Sequence, residues 1–262
     1  MIHWCAYCQS YIGESEPFDD FSLTHGVCRK CANTGVAVSP GAAESLRPLS
    51  MFFRRVRAEA RAGVKAEPEY WVGEAFKLGI KPQDLLIGVL QPALYEIGRL
   101  WAAGEVTVAA EHRFSAFAEE AVAAVFRYYP DLAKGRQAAE PDVLLTCADG
   151  NYHTLGIRFL EAGLLANGLR TLTVLPGLPA AAAADLAARL KPVALGISVA
   201  LEEQLKSAGE LAEMLGRLPA RERPLLLLGG LPLKTGAKAP SGPGVFACRS
   251  VADVPFGLIR RR

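Results

Sequence analysis

From residue 141 onward, five short apolar runs alternate with segments of helical character, and this rhythm constrains the fold more than any other feature of the chain. The runs cover 143–147, 172–175, 193–199, 225–228 and 245–248. Apolar runs this short, separated by helices, read as strands covered on both faces of a parallel sheet. Gly168 falls where a helix must stop before the second run, the place for a left-handed cap. The segment 141–262 is therefore expected to form an α/β domain.

The preceding sequence has a different texture. Helical periodicity recurs over 42–62, 69–78, 83–102 and 108–128, with breaks at Gly63, Gly79 and Gly104. Four helices of this length predict a bundle over 41–130. Residues 1–38 are polar, aromatic and cysteine-rich, and Ser39, Pro40 and Gly41 mark a boundary near 38. With 51% hydrophobic and 21% charged residues the 262-residue chain is not disordered throughout, and a net charge of +2 makes neither nucleic acid nor an anionic membrane its default partner. No apolar run approaches the roughly 20 residues that span a bilayer, and the start carries no leader pattern, so a cytoplasmic location is expected.

The six cysteines divide unevenly. Cys5-x2-Cys8 is followed after 19 residues by Cys28-x2-Cys31, the spacing of a four-thiolate zinc site. In a piece too small to bury a core, such a metal replaces one. Direct DNA binding is the sharper alternative, but residues 1–40 set only Arg29 and Lys30 against Glu14, Glu16, Asp19 and Asp20, and an acidic module repels phosphate. The stretch 24–28 with Cys31 also resembles a short cysteine-rich element attached to bacterial sensory proteins.

After the first strand the sequence reads Asp149-Gly150-Asn151-Tyr152-His153-Thr154-Leu155-Gly156. This places His153 at the carboxyl edge of a parallel sheet, where α/β folds bind ligands. A neutral imidazole there can ligate a metal. Asn151-x-His153-x-x-Gly156 is followed after 41 residues by Ser198-Val199-Ala200 and after 28 more by Gly229-Gly230. That combination resembles the cobalamin (vitamin B12) binding domain, whose signature is Asp-x-His-x-x-Gly, Ser-x-Leu and Gly-Gly at these spacings. The resemblance implies a Rossmann-like (flavodoxin-like) sheet and a lower axial ligand, His153, that displaces the cofactor's own base from cobalt. Gly156, Gly229 and Gly230 would let backbone approach the nucleotide tail, and the Ser198 hydroxyl would hydrogen-bond its base. Two departures stand out: Asn151 replaces the Asp that serves the imidazole proton, and Ala200 replaces Leu, which loosens the slot.

Trp101-x9-Glu111-His112 lies across the end of the third predicted helix and the start of the fourth. Alone, Trp101 reads as a core aromatic. Directly before a cobalamin domain, the motif resembles that of the B12-dependent photoreceptor regulators, over about 42–258. The resemblance implies that Trp101 covers the upper face of the corrin, where an adenosyl group sits, and that Glu111 and His112 line that space or meet a neighbouring subunit. Those regulators begin with a helix-turn-helix, replaced here by the four-cysteine element, and carry a second His after the Trp, replaced here by Ala102.

The expected function is a non-enzymatic adenosylcobalamin sensor, light-responsive, signalling through conformational or assembly change as a homo-oligomer or with a regulatory protein partner. A corrinoid carrier of a methyltransferase system is the alternative from another class. A photocobilin-type protein, holding a bilin beside cobalamin, is a third, although no residue identifies a bilin site. The arginines Arg54, Arg55, Arg57 and Arg61, like the terminal Arg260, Arg261 and Arg262, read as solvated charge.

Overall fold

The computed structural model describes residues 1–36, 41–64 and 66–260. The boundary near 38 and the terminal Arg261 and Arg262 lie outside the described residues. The chain divides into two compact units, Met1–Pro130 and Asp131–Arg262.

The first unit begins with a small sheet of β1 (Ile2–Cys5), β2 (Tyr11–Glu14) and β3 (Leu23–Gly26), in the order β2-β1-β3. β1 runs antiparallel to β2 and parallel to β3. Four longer helices follow: α1 (Arg47–Ala62), α2 (Pro68–Lys77), α3 (Gln91–Ala102) and α4 (Val108–Tyr128). Gly63, Gly79 and Gly104 all have positive φ, so the three expected breaks are left-handed turns that a side chain would strain. The start of α4 is fixed by Thr107, whose hydroxyl accepts a bond from the Ala110 N–H.

The helix expected over 83–102 is interrupted. Pro82–Leu85 leads into a π-helical turn, Leu86–Leu90, before α3. Pro92 has no N–H to give the Gly88 carbonyl, so a regular α ladder cannot pass this point. The turn also receives the small sheet. A Cβ on Gly88 would lie 2.6 Å from the Trp4 ring and 2.8 Å from that of Tyr11, so only glycine permits this approach. Trp4 is fully buried. The Ser45 hydroxyl donates to the Ala6 carbonyl at 2.6 Å, and Arg57 reaches the Phe21 carbonyl at 3.4 Å. The four-cysteine element and the helices thus share one core.

Part of the arginine stripe is bonded within the bundle. Arg57 and Arg61 both hold Glu96 of α3, which is 4% exposed, while the Arg55 guanidinium lies 4.9 Å over the Trp71 ring and donates to the Tyr70 hydroxyl. Of the four arginines read as solvated charge, three are engaged within the bundle.

The second unit is a five-stranded sheet of β4 (Val143–Cys147), β5 (Thr171–Val174), β6 (Ala194–Ser198), β7 (Leu225–Gly229) and β8 (Val245–Cys248), ordered β5-β4-β6-β7-β8. Every pairing is parallel. Counted within this unit, that is the 2-1-3-4-5 order of flavodoxin-like folds. Alternate residues of β4 serve two cores. Leu144 packs with the face covered by α6 (Ala180–Leu190) and α7 (Leu205–Gly216), whereas Val143, Leu145 and Cys147 pack with Ile157 and Leu164 of α5 (Leu155–Ala166). Gly168 has φ 77°, the left-handed stop expected of it. No helix among the described residues is long and apolar enough to cross a membrane.

Candidate functional site

In this strand order the chain reverses its direction of growth between β4 and β6, and the crevice outside their carboxyl ends is where such folds bind ligands. The loop after β4 carries His153, whose ring is exposed. Its main chain is held by Asn151, which has no exposed surface. The Asn151 amide nitrogen donates to the Ser198 carbonyl at the end of β6, and its oxygen accepts the His153 backbone N–H, both at 2.9 Å. Asn151 therefore braces the loop through backbone and not through the imidazole. A buried amide with both ends bonded is a stiff support.

Around this brace the small residues fall into place. A Cβ on Gly156 would stand 3.5 Å from the Ser198 hydroxyl, so the amino end of α5 faces the tip of β6. Gly230 has φ 133°, and a Cβ there would overlap the Val199 carbonyl. On Gly229 it would approach the Cys248 carbonyl at 3.4 Å. Ala200 follows β6, and its N–H donates to the Gln204 side-chain oxygen at 2.8 Å. His153, Asn151, Gly156, Ser198, Ala200, Gly229 and Gly230 thus lie together along the carboxyl edge. An exposed imidazole on a fixed backbone, beside Gly156, Gly229 and Gly230, which carry no side chains, fits a corrinoid whose cobalt takes nitrogen and whose tail needs room. Burial pushes the thiols of Cys147 and Cys248 up, to about 11 and about 12, so both stay neutral.

In the first unit Trp101, in the last turn of α3, is 50% exposed and so is no core aromatic. The turn after it leads to the first turn of α4, where the Glu111 carboxylate bonds the His112 ring at 2.6 Å and accepts the Ser115 hydroxyl at 2.8 Å. Trp101, Glu111 and His112 therefore border one helix–helix turn. Ala102, beside the Trp, is exposed and offers no ligand atom.

The sulfurs of Cys5, Cys8, Cys28 and Cys31 all lie within 4.8 Å of one another, and Cys8 and Cys28 are 3.6 Å apart. Zinc–sulfur bonds of about 2.3 Å in a tetrahedron imply sulfur separations near 3.8 Å, so the set fits one ion. The Cys28 N–H points at the Cys5 sulfur at 3.4 Å. Cys31 is pushed up to about 12 by desolvation and by its three sulfur neighbours. A cation lets such a group ionise together.

A protein-family model for the B12 binding domain matches residues 54–125. The matched span holds Trp101, Glu111 and His112 and ends before the sheet. No curated protein matches the chain significantly. Among solved structures, the monomethylamine corrinoid protein of Methanosarcina barkeri aligns with 81% of this chain and 99% of its own, at 19% identity and a TM-score of 0.59. The two share a fold. Two others also align: the methanol:cobalamin methyltransferase complex MtaBC of Methanosarcina barkeri (18% identity, 84% of this chain, 81% of that chain, TM-score 0.34) and a cobalamin-binding protein of Desulfitobacterium hafniense DCB-2 (19%, 84%, 94%, TM-score 0.37).

Three residues that matter were silent in the sequence. Gly177 lies against the Ala148 carbonyl with no space for a Cβ, which shapes the floor of the histidine loop. Gln204 is 7% exposed and binds the backbone of Ala200 and Leu201. Glu96 collects two arginines. None carries a local pattern. Each is defined by a neighbour distant in sequence or by a loop conformation.

Proposed function

We propose that this chain is a non-catalytic corrinoid-binding protein in which the α/β unit takes cobalamin base-off, with His153 as the lower ligand of cobalt. The observation that carries this reading is the Asn151 brace, which fixes the His153 backbone to β6 at the switch point while leaving the ring exposed. The cofactor, when bound, supplies a cobalt–carbon bond that can deliver an alkyl group or be cleaved by light. The chain's own part is to bind and orient. His153 offers its ring nitrogen, Ser198 a hydroxyl for the displaced base, and Gly156, Gly229 and Gly230 leave room for the tail. Cys5, Cys8, Cys28 and Cys31 hold one structural zinc.

Of the two uses of such a cofactor, delivery to a protein partner as a corrinoid carrier is our first reading. The likeness to nearly the full length of a corrinoid protein supports it, as does Ala102 in the place of a cobalt-trapping His. A light-responsive adenosylcobalamin regulator is the second reading, supported by Trp101 being half exposed beside Glu111 and His112. Both are tested on the full-length protein by visible absorption. Loaded with hydroxocobalamin, it should show the spectrum of a histidine-ligated corrinoid, and His153→Ala should lose that spectrum or bind more weakly; unchanged spectrum and affinity would refute the ligand assignment. Loaded with adenosylcobalamin and lit with green light, a protein that bleaches like free cofactor and keeps its elution volume removes the light reading and leaves the carrier.

A further inference from the structure

The two sulfurs of the first cysteine pair have different surroundings. Burial raises the Cys5 thiol, but backbone hydrogen bonds from Cys28, Cys8 and Tyr7 outweigh it and bring it down to about 6. For Cys8 the neighbour is a side chain: its sulfur lies 3.3 Å from the Ser10 hydroxyl oxygen. That oxygen also accepts a hydrogen bond from the Lys81 ammonium. A chain of contacts therefore runs from the start of the helical turn Pro82–Leu85 to the four-cysteine cluster.

Local conformation sets both partners. The Ser10 carbonyl accepts the Cys5 N–H at 2.8 Å and Gln9 has φ 52°, so the turn that closes the first cysteine pair also brings the hydroxyl to Cys8. Lys81 precedes Pro82, which keeps its backbone extended at ψ 148°, and the Lys81 carbonyl accepts the Leu85 N–H at 2.9 Å. The side chain thus leaves a fixed helix start and crosses from the bundle to the cysteine element, 71 residues away in sequence.

We propose that Ser10 and Lys81 are positioning residues for Cys8, a relay through which the bundle steadies one ligand of the zinc. The inference rests on the zinc reading above and adds two residues to it. Zinc takes cysteine as thiolate, and four thiolates around one divalent ion leave a surplus of negative charge. A thiolate can only accept. The Ser10 hydroxyl, with Lys81 on one lone pair, therefore turns its own proton to the Cys8 sulfur. Lys81 polarises that O–H, and its charge offsets part of the surplus. Groups placed behind a metal ligand in this way fix its orientation and tune its affinity.

The test has two readouts on the full-length protein: zinc affinity by competition with the chelator pyridylazoresorcinol, and the rate at which iodoacetamide modifies each cysteine of the zinc-loaded form, read by peptide mass. Lys81 also attracts the Asp84 carboxylate, so stability alone does not report on the relay. Ser10→Ala should weaken zinc binding about tenfold, and Ser10→Thr, which keeps the hydroxyl, should restore it. Lys81→Gln should weaken it about threefold, the scale of an exposed charge. The double variant Ser10→Ala, Lys81→Gln should match Ser10→Ala within about twofold, because Lys81 acts through the hydroxyl. In both single variants alkylation at Cys8 should quicken about threefold relative to Cys28, since a sulfur relieved of a donor is the better nucleophile, whereas a general loosening would quicken every cysteine alike. If the wild-type protein takes up zinc, and Ser10→Ala and Lys81→Gln hold it as tightly with Cys8 no more reactive, this inference alone is overturned. A double variant in which the two losses multiply overturns it as well. If the wild-type protein takes up no zinc, the zinc reading falls and the relay with it.

Discussion

His153 and Trp101 are both exposed, yet the two regions hold them in opposite ways. Behind His153 stands a fully buried amide, Asn151, bonded at both ends to backbone, with glycines packed where no side chain fits. Trp101 sits in the last turn of a helix, followed by an exposed turn of Ala103, Gly104 and Glu105, and among the described residues the side chains of its companions Glu111 and His112 bond each other and Ser115. One site is fixed by a sheet and the other borders an open turn. The difference suits the role proposed for His153, since a metal ligand must be in place before its cofactor arrives.

The comparison can be broken most forcibly at the four-cysteine cluster. Because Trp4 and Tyr11 fill the space above Gly88, chelating the zinc proposed to bind there, or replacing Cys28 by Ala, should unsettle the helices of the first unit along with the small sheet. Binding of a structural zinc is worth about 10 kcal/mol or more, enough to decide whether a small unit folds. Near-ultraviolet circular dichroism and thermal melts should lose the transition of the first unit while that of the α/β unit persists. If helix content is untouched, the shared core of element and bundle has no energetic weight.

A mid-sized effect separates two buried acids of the first unit. Desolvation pushes Asp84 up to about 6, against the pull of Lys81 and a backbone bond from Tyr11, and one carboxyl oxygen has no partner. For Glu96 burial also raises the value, but bonds to Arg57 and Arg61 outweigh it and hold the carboxyl low. The signs are opposite. The folded form holds the Asp84 proton more tightly than the unfolded one does, so this residue costs stability as pH rises from the ordinary carboxyl range through about 6. Glu96 contributes stability that is lost as pH falls into and below that range. Asp84→Asn should therefore raise stability at pH 7 by about 3 kcal/mol or less and remove the decline toward neutral pH. Urea midpoints of both proteins from pH 4 to 8 check it; a parallel pair of curves would show that Asp84 does not titrate in the window.

The smallest effect sharpens the contrast between the two sites. Trp101→Ala removes an exposed ring and should change stability by about 0.5 kcal/mol or less, whereas Asn151→Ala takes away the partner of the His153 N–H, leaves the Ser198 carbonyl only the Ala148 N–H, and should cost about 1 to 2 kcal/mol. Thermal melts of the two variants, each compared with wild type, read the difference. Equal losses would mean that Trp101 is as much a structural residue as Asn151.

Much of this architecture was legible in the chain. The five apolar runs lie within about one residue of the five strands, because a strand buried on both faces needs unbroken apolar sequence whatever its neighbours are. Gly63, Gly79, Gly104 and Gly168 ended helices where expected, since a left-handed residue is a local demand. Each Cys-x2-Cys turn was equally legible, since it sets its own pair locally, while the parallel pairing of β1 with β3 brought the two pairs together. Tertiary structure alone decided the rest. It turned Arg57 and Arg61 onto Glu96, interrupted the third helix at Leu86–Leu90, set Trp4 against Gly88, and directed Asn151 to the backbone of Ser198 and His153. Each of these joins residues far apart in sequence, or settles which of several bonds a side chain makes. Periodicity and spacing record only what a residue owes its near neighbours, and a buried polar group takes its partner from whatever the completed fold places beside it.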